Sequence, residues 1–249
     1  MPEACTTRLD RMLRPVHRWI WQDDRRRVRK LLRFAQVERD GGRDILRAAE
    51  VTPDPLLRRL YLAHAMDELH HSTLFEERGA ALLRGLSPES RPCFETSGHG
   101  PGGHGLDDLC VERESDDALL AFLHVAEKSA AGRFAVYRDV VQHDPPTQAV
   151  FEAILRDEVF HMNYTYSQLA RVSRRQRPRI WRARVVRLWK RWLRAATAVG
   201  GLIAEAGLTV LYFALLPPFA WLAKRAERRE PPGWSPVPPA RKDSLKSQY

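Results

Sequence analysis

MDELHH, Met66 to His71, and RDEVFH, Arg156 to His161, write the same Asp-Glu-x-x-His motif twice, ninety residues apart. Each copy sits inside a helical pattern. Around the first, Leu57, Tyr61, Ala65, Glu68, His71 and Phe75 share one stripe and predict a helix over roughly 55–83. Around the second, the pattern begins near Thr147 and reaches about Val172. In both copies Glu and His stand three residues apart, so they lie on one helix face and can reach the same point.

Two more helices follow from the same periodicity. Leu31, Phe34, Ala35, Glu38 and Ile45 fall near one face of a stretch over roughly 23–50, which TPDP (52–55) breaks, since each proline disfavours helix at the residue before it. Another helix opens at Asp116–Asp117, whose carboxylates suit a helix N-terminus. It runs to about Gln142, where DPP (144–146) ends it. Between the two pairs lies an irregular segment, about 86–115, containing SGHGPGGHG, whose glycines and prolines reject regular structure. No window alternates as a strand does. The expected fold is all-α: two helical hairpins joined by a long crossover into a four-helix bundle, with an amphipathic and a hydrophobic helix after it.

The bundle carries a repeated set of ligand types. Glu38 precedes Glu68 and His71 by one helix, and Glu127 precedes Glu158 and His161 in the same way. Glu38 to Glu68 spans 30 residues and Glu127 to Glu158 spans 31. That separation across a tight turn returns an antiparallel helix to the same level, so four carboxylates and two imidazoles converge on the bundle axis. Four carboxylates in a core repel one another and cost several kcal/mol each to desolvate. Two divalent cations cancel them. The ligand set suits two iron ions, or an iron–manganese pair, with carboxylates bridging and one histidine on each metal. Asp67 and Asp157 precede the two glutamates. Metal-bound imidazoles give their other N–H to a carboxylate, so each aspartate is expected to orient a ligand histidine, the one on the neighbouring helix. His70 points away from the ligand face and is expected to be exposed. His64, His99, His104 and His124 are expected at the surface or in packing. Tyr61 and Tyr164 are candidates to gate the site or carry a proton or electron, with core packing as the plainer role. Small residues beside Glu127 (Ala126, Ala130, Ala131) predict room for a substrate.

These residues resemble the ferritin-like, rubrerythrin-like diiron carboxylate superfamily over about 25–170, and ILRDEVFHMNYTYSQL (154–169) is similar to rubrerythrin-type fourth helices. The resemblance implies a ferritin-like four-helix bundle and a non-haem diiron centre held by Glu38, Glu68, His71, Glu127, Glu158 and His161. It implies activation of O₂ or peroxide, or oxidation of iron. There are departures. Rubrerythrins carry a further glutamate one turn after the third-helix ligand, where this chain has Ala130 and Ala131. Rubredoxin-like cysteine pairs are absent, so an external electron donor is expected. The bare six-ligand set and a membrane-associated tail are similar to demethoxyubiquinone hydroxylases, whose wider signature does not match.

Charge is divided unevenly along the chain. Residues 171–249 hold 18 Lys and Arg against 4 Asp and Glu, whereas residues 1–170 hold 23 against 27. The excess belongs to the tail. RPRIWRARVVRLWKRWLR (177–194) places Trp181, Val185, Leu188, Trp189 and Trp192 near one face with arginines around the rest, a pattern that suits an anionic lipid interface. Residues 195–223 then contain no Lys or Arg and one acid, Glu205, long enough to cross about 30 Å of hydrocarbon. Pro217-Pro218 is expected to kink or end that helix. The arginines ahead of the run place the bundle on the cytoplasmic face of a membrane, with a single span or a monotopic anchor. Cys5, Cys93 and Cys110 form no CxxC and no disulfide framework, and no apolar h-region of a cleavable signal peptide is expected. The organisation expected is an N-terminal extension (1–22), the bundle (23–172), a basic amphipathic helix (173–194), a hydrophobic membrane-associated segment (195–223) and a disordered tail (224–249). The function expected is an O₂-activating oxidase or monooxygenase on an organic substrate, with membrane lipid as partner through 177–223 and a homodimer as one assembly. The alternatives are a ferroxidase or peroxide-scavenging protein, and a non-enzymatic metal-stabilised membrane scaffold. An RNA-modifying hydroxylase suits the arginines but not the apolar run beside them, so no nucleic acid is expected.

Overall fold

A computed structural model describes residues 12–90 and 111–227. Most of the expected crossover, with His99 and His104, and the stretch 228–249 lie outside the described residues. Among those described, the chain is all helical: α1 (Arg14–Gln22), α2 (Asp24–Val51), α3 (Pro55–Gly85), α4 (Asp116–Val140), α5 (Pro145–Val172) and α6 (Gln176–Glu227). Single 3₁₀ turns stand at Pro88–Ser90 and Val111–Arg113, and no strand occurs among these residues.

Helix boundaries follow local chemistry. The prolines that end one helix open the next, because proline at the first helical position gives up an N–H that has no partner anyway. Asp54 precedes Pro55 and accepts from the backbone N of Leu56 and Leu57 at 2.9 and 3.1 Å. Asp144 precedes Pro145 and accepts from Thr147 N at 3.2 Å. Asp23 caps α2 through Arg26 N at 2.8 Å.

α2 pairs with α3 and α4 with α5, and the two hairpins meet chiefly through α3 and α5. Two apolar clusters fill the interior. One contains Ile45, Leu57, Tyr61, Leu120, Leu123 and Leu169; the other contains Leu31, Phe75, Phe134, Phe151 and Ile154. On each of the four helices, the predicted ligands fall at sequence positions between these two sets. Polar groups are thus held in the middle of the bundle with apolar packing at either end. At Gly42, one turn after Glu38, a Cβ would stand 3.1 Å from Ala65 O and 3.2 Å from Glu68 Cβ. Glycine here lets the α2 backbone come close to α3 beside Glu68.

The expected N-terminal extension contributes more than its sequence signals indicate. α1 delivers Trp21, fully buried, edge-on to Phe151 with ring centroids 5.1 Å apart. Nearby, Asp144 holds two guanidinium groups, Arg78 at 2.6 Å and Arg27 at 3.3 Å. Arg27 and Asp144 are each 6 % exposed. Removing one partner of a buried ion pair strands the other charge. Asp144→Ala is therefore expected to destabilise the protein by about 3 kcal/mol, read as a shift of the urea unfolding midpoint.

The chain divides into two units, Met1–Arg191 and Trp192–Tyr249. In the first, α6 contributes Ile180 and Ala183 to the core, while Trp181, Leu188 and Trp189 are exposed. The tryptophan stripe thus faces away from the bundle. In the second unit every described side chain is exposed, including Leu202, Ile203, Leu208, Val210 and Phe213. Gln176–Ala226 is long and apolar enough to cross a membrane, with a best-window mean hydropathy of 1.9. Pro217 and Pro218 lie inside α6 and do not end it. Proline carries a helix-compatible φ and costs hydrogen bonds rather than the fold of the segment, and such losses are tolerated in apolar helices that cross lipid.

Candidate metal centre

Glu68 is the hub of a buried polar cluster. It is 4 % exposed, one turn of α3 before His71. Its Oε1 lies 2.9 Å from His64 Nε2 and 3.6 Å from His161 Nδ1, and its Oε2 lies 3.7 Å from His71 Nδ1. The two oxygens of one carboxylate thus face two separate sets of nitrogens. Two groups of side chains converge accordingly: His64, Glu68, Glu127 and His161, and Glu68, His71 and Glu158. Within each, one ligand atom per residue lies within 4.8 Å of the others. Glu68 is shared. Glu38, half-buried on α2, stands outside both groups and hydrogen-bonds Glu68. All six predicted positions therefore come to one region, with Glu38 at its edge.

The aspartates stand behind the histidines across the α3–α5 contact. His71 Nε2 lies 3.1 Å from Asp157 Oδ2, and His161 Nε2 lies 3.0 Å from Asp67 Oδ2. In a neutral imidazole, a carboxylate that accepts from Nε2–H leaves Nδ1 as a lone pair. Nδ1 of His71, Nδ1 of His161 and Oε2 of Glu158 are all buried with no hydrogen-bond partner. Buried polar atoms without partners are rare and costly. A cation supplies what these three atoms lack, and the donor set of imidazole nitrogens and carboxylate oxygens is able to hold one.

Electrostatics tell the same story. Burial, then the charge of Glu68, lifts the Glu38 carboxyl well above its ordinary 4.5. Burial, then Glu127 and Glu68, does the same to Glu158. Burial also opposes ionisation of Glu68, but the hydrogen bond with His64 and the nearby His71 imidazole outweigh it and hold that carboxyl well below the usual range. His64 and His71 are raised above 6.5: burial works against their charge, and Glu68 more than compensates. A raised folded pKa stabilises the fold below the unfolded value, and that stability is lost as pH climbs through the folded value. Glu38 and Glu158 act in this way above 4.5, and His64 and His71 above 6.5. The opposite contribution of Glu68 is complete by its ordinary 4.5. The metal-free protein is expected to melt lower as pH rises from about 5 to 8. The metal-loaded protein is expected to melt higher, since protons compete with cations for these ligands. Melting series with and without chelator check the opposed slopes.

His64 differs from expectation. It is fully buried and its ring stacks on His161 with centroids 3.7 Å apart. The signal was its spacing: residues 64, 68 and 71 are i, i+4 and i+7, one helix face. His70 is exposed, and His124 is nearly buried, 3.1 Å from Met162 O. Tyr164 reaches the cluster, its OH 2.6 Å from His64 Nδ1. Tyr61 packs in an apolar cluster two turns before Glu68, its phenol pushed up by burial and by Asp116. Ala126, Ala130 and Ala131 all join the packing of the apolar core, Ala131 fully buried. Comparison with protein families, with curated proteins and with solved structures finds no match to the chain.

Proposed function

We propose that the chain is a membrane-associated, non-haem diiron oxidoreductase of ferritin-like type, acting with O₂ on an organic substrate. The observation that carries this reading is the pair of buried Nδ1 lone pairs, on His71 and His161, set on opposite sides of the Glu68 carboxylate. Glu38, Glu68, His71, Glu127, Glu158 and His161 would hold the two ions, which would cancel four carboxylates and leave the core neutral. When bound, the reduced iron pair supplies two electrons to O₂.

The protein's own side chains prepare that chemistry. Asp67 and Asp157 fix the tautomer of the two histidines and raise their basicity. The apolar clusters on either side exclude bulk water. Tyr164, hydrogen-bonded to His64, holds a phenolic proton beside it. The three cysteines of the sequence form no CxxC pair, and on this reading electrons would come from a separate donor. The exposed apolar face of α6 requires lipid, because water does not tolerate so large an apolar surface. On this reading the 11 Lys and Arg in 171–194 would keep the bundle on the cytoplasmic side, by the positive-inside rule.

The test is reaction of the reduced, iron-loaded full chain with O₂ in lipid. Rapid consumption of O₂, with turnover sustained only by an external reductant and an organic substrate, is the expected result. A loaded centre inert to O₂ would remove the enzymatic reading. Turnover driven by free Fe²⁺ alone would replace it with a ferroxidase. Flotation of the full chain with liposomes, persisting at high salt, checks the lipid attachment.

A further inference from the structure

The two halves of the bundle match in their Glu-x-x-His motifs and part company one turn earlier. Four residues before Glu68 stands His64; four residues before Glu158 stands Ile154. Both are fully buried. Ile154 belongs to an apolar cluster, whereas His64 is turned into the polar one. Its Nε2 and the Nδ1 of His161 face the same atom, Glu68 Oε1, at 2.9 and 3.6 Å, and the same Nε2 lies 3.7 Å from Glu127 Oε1. On the other side of Glu68, only His71 supplies a nitrogen.

We propose that His64 is a seventh metal ligand, and that it makes the centre asymmetric. This rests on the dimetal reading above. One ion is held by His64 and His161 with Glu127 and Glu68. The other is held by His71 with Glu158 and Glu68, Glu38 being hydrogen-bonded to Glu68. Tyr164 plays for His64 the part that Asp67 and Asp157 play for the other two histidines. Its hydroxyl lies 2.6 Å from His64 Nδ1; by accepting the Nδ1–H in the loaded protein it would leave the Nε2 lone pair for the ion. The competing role for His64 is a charge partner of Glu68 that never touches metal. The two roles differ in what they predict for the ions. Imidazole suits iron, while carboxylate-rich positions also suit manganese. Two unlike half-sites therefore fill in sequence, the nitrogen-rich one first with Fe²⁺.

The experiment is anaerobic titration of the metal-free full chain with ⁵⁷Fe²⁺, followed by Mössbauer and X-ray absorption spectroscopy. The wild-type protein is expected to show two unequal ferrous signals appearing in order, and three imidazoles per pair of irons. His64→Ala is expected to weaken the first step about 10–100-fold, the range seen when groups supporting a metal ligand are lost, to leave the second step in place and to remove one imidazole. Tyr164→Phe is expected to weaken the same step by less. Two equivalent irons with two imidazoles in the wild-type protein would overturn the proposal, whether or not any variant folds. So would a His64→Ala titration superimposable on the wild type. A wild-type chain that takes up no iron would overturn the dimetal reading itself, an outcome distinct from both.

Discussion

Glu68→Ala is expected to lose both metal ions at once. Each of His64, Glu127, His161, His71 and Glu158 falls in one of the two groups, but the two oxygens of Glu68 face different histidines, Oε1 toward His64 and His161 and Oε2 toward His71. Losing a group that only supports a ligand histidine weakens binding about 10–100-fold. Losing the shared ligand costs more than that, and costs it at both positions. Metal analysis after loading and desalting checks this. Asp157→Asn is the graded control, since it touches His71 alone. It should loosen one ion and spare the other. A Glu68→Ala protein that retained a full complement of metal would show that the carboxylate is not shared.

Removing the metal is expected to have the largest effect on stability. A ligand that binds only the folded state at about 1,000 times its dissociation constant adds about 4 kcal/mol, so two such ions add about 8 kcal/mol. For a chain of this size that is roughly 20 °C of melting temperature. The glutamates explain why the metal-free fold is the weaker partner. Burial and the charges of Glu127, Glu68 and Glu38 hold the carboxyl of Glu158, almost fully enclosed, well above its ordinary range, which costs stability at neutral pH. Glu158→Gln removes that titration. It should raise the metal-free melting temperature at neutral pH while erasing most of the gain on loading. Equal melting of chelated and loaded wild-type protein would contradict the account.

Much of this arrangement was legible in the residues. Helix starts were readable because Asp54-Pro55 and Asp144-Pro145 combine a capping carboxylate with a proline that suits the first turn. The convergence of these side chains was readable because three-residue spacing and a thirty-residue return are geometry, independent of context. The pairing of His71 with Asp157 and of His161 with Asp67 followed from the chemistry of a metal-bound imidazole. Other features depend on packing that a single stretch does not encode. α1 is nine residues long, and its value lies in where Trp21 lands among Phe34, Tyr137 and Phe151. A histidine on an apolar stripe, such as His64, is more often a packed residue than a ligand. Only the closeness of His161 and Glu127 gives it another meaning. Prolines such as Pro217 and Pro218 kink or end soluble helices, where a lost hydrogen bond competes with water. α6 carries them in a wholly apolar stretch, where breaking the helix would expose more backbone than the prolines already do.

The central claim is that side chains from four helices hold two cations around one shared carboxylate. X-ray absorption of the iron-loaded full chain tests it most directly. The account predicts a metal–metal vector of about 3.5–4 Å, bound nitrogen and oxygen neighbours, and loss of the vector in Glu68→Ala. Iron that binds without a second metal at that range, or that binds equally well after Glu68 is removed, would contradict it.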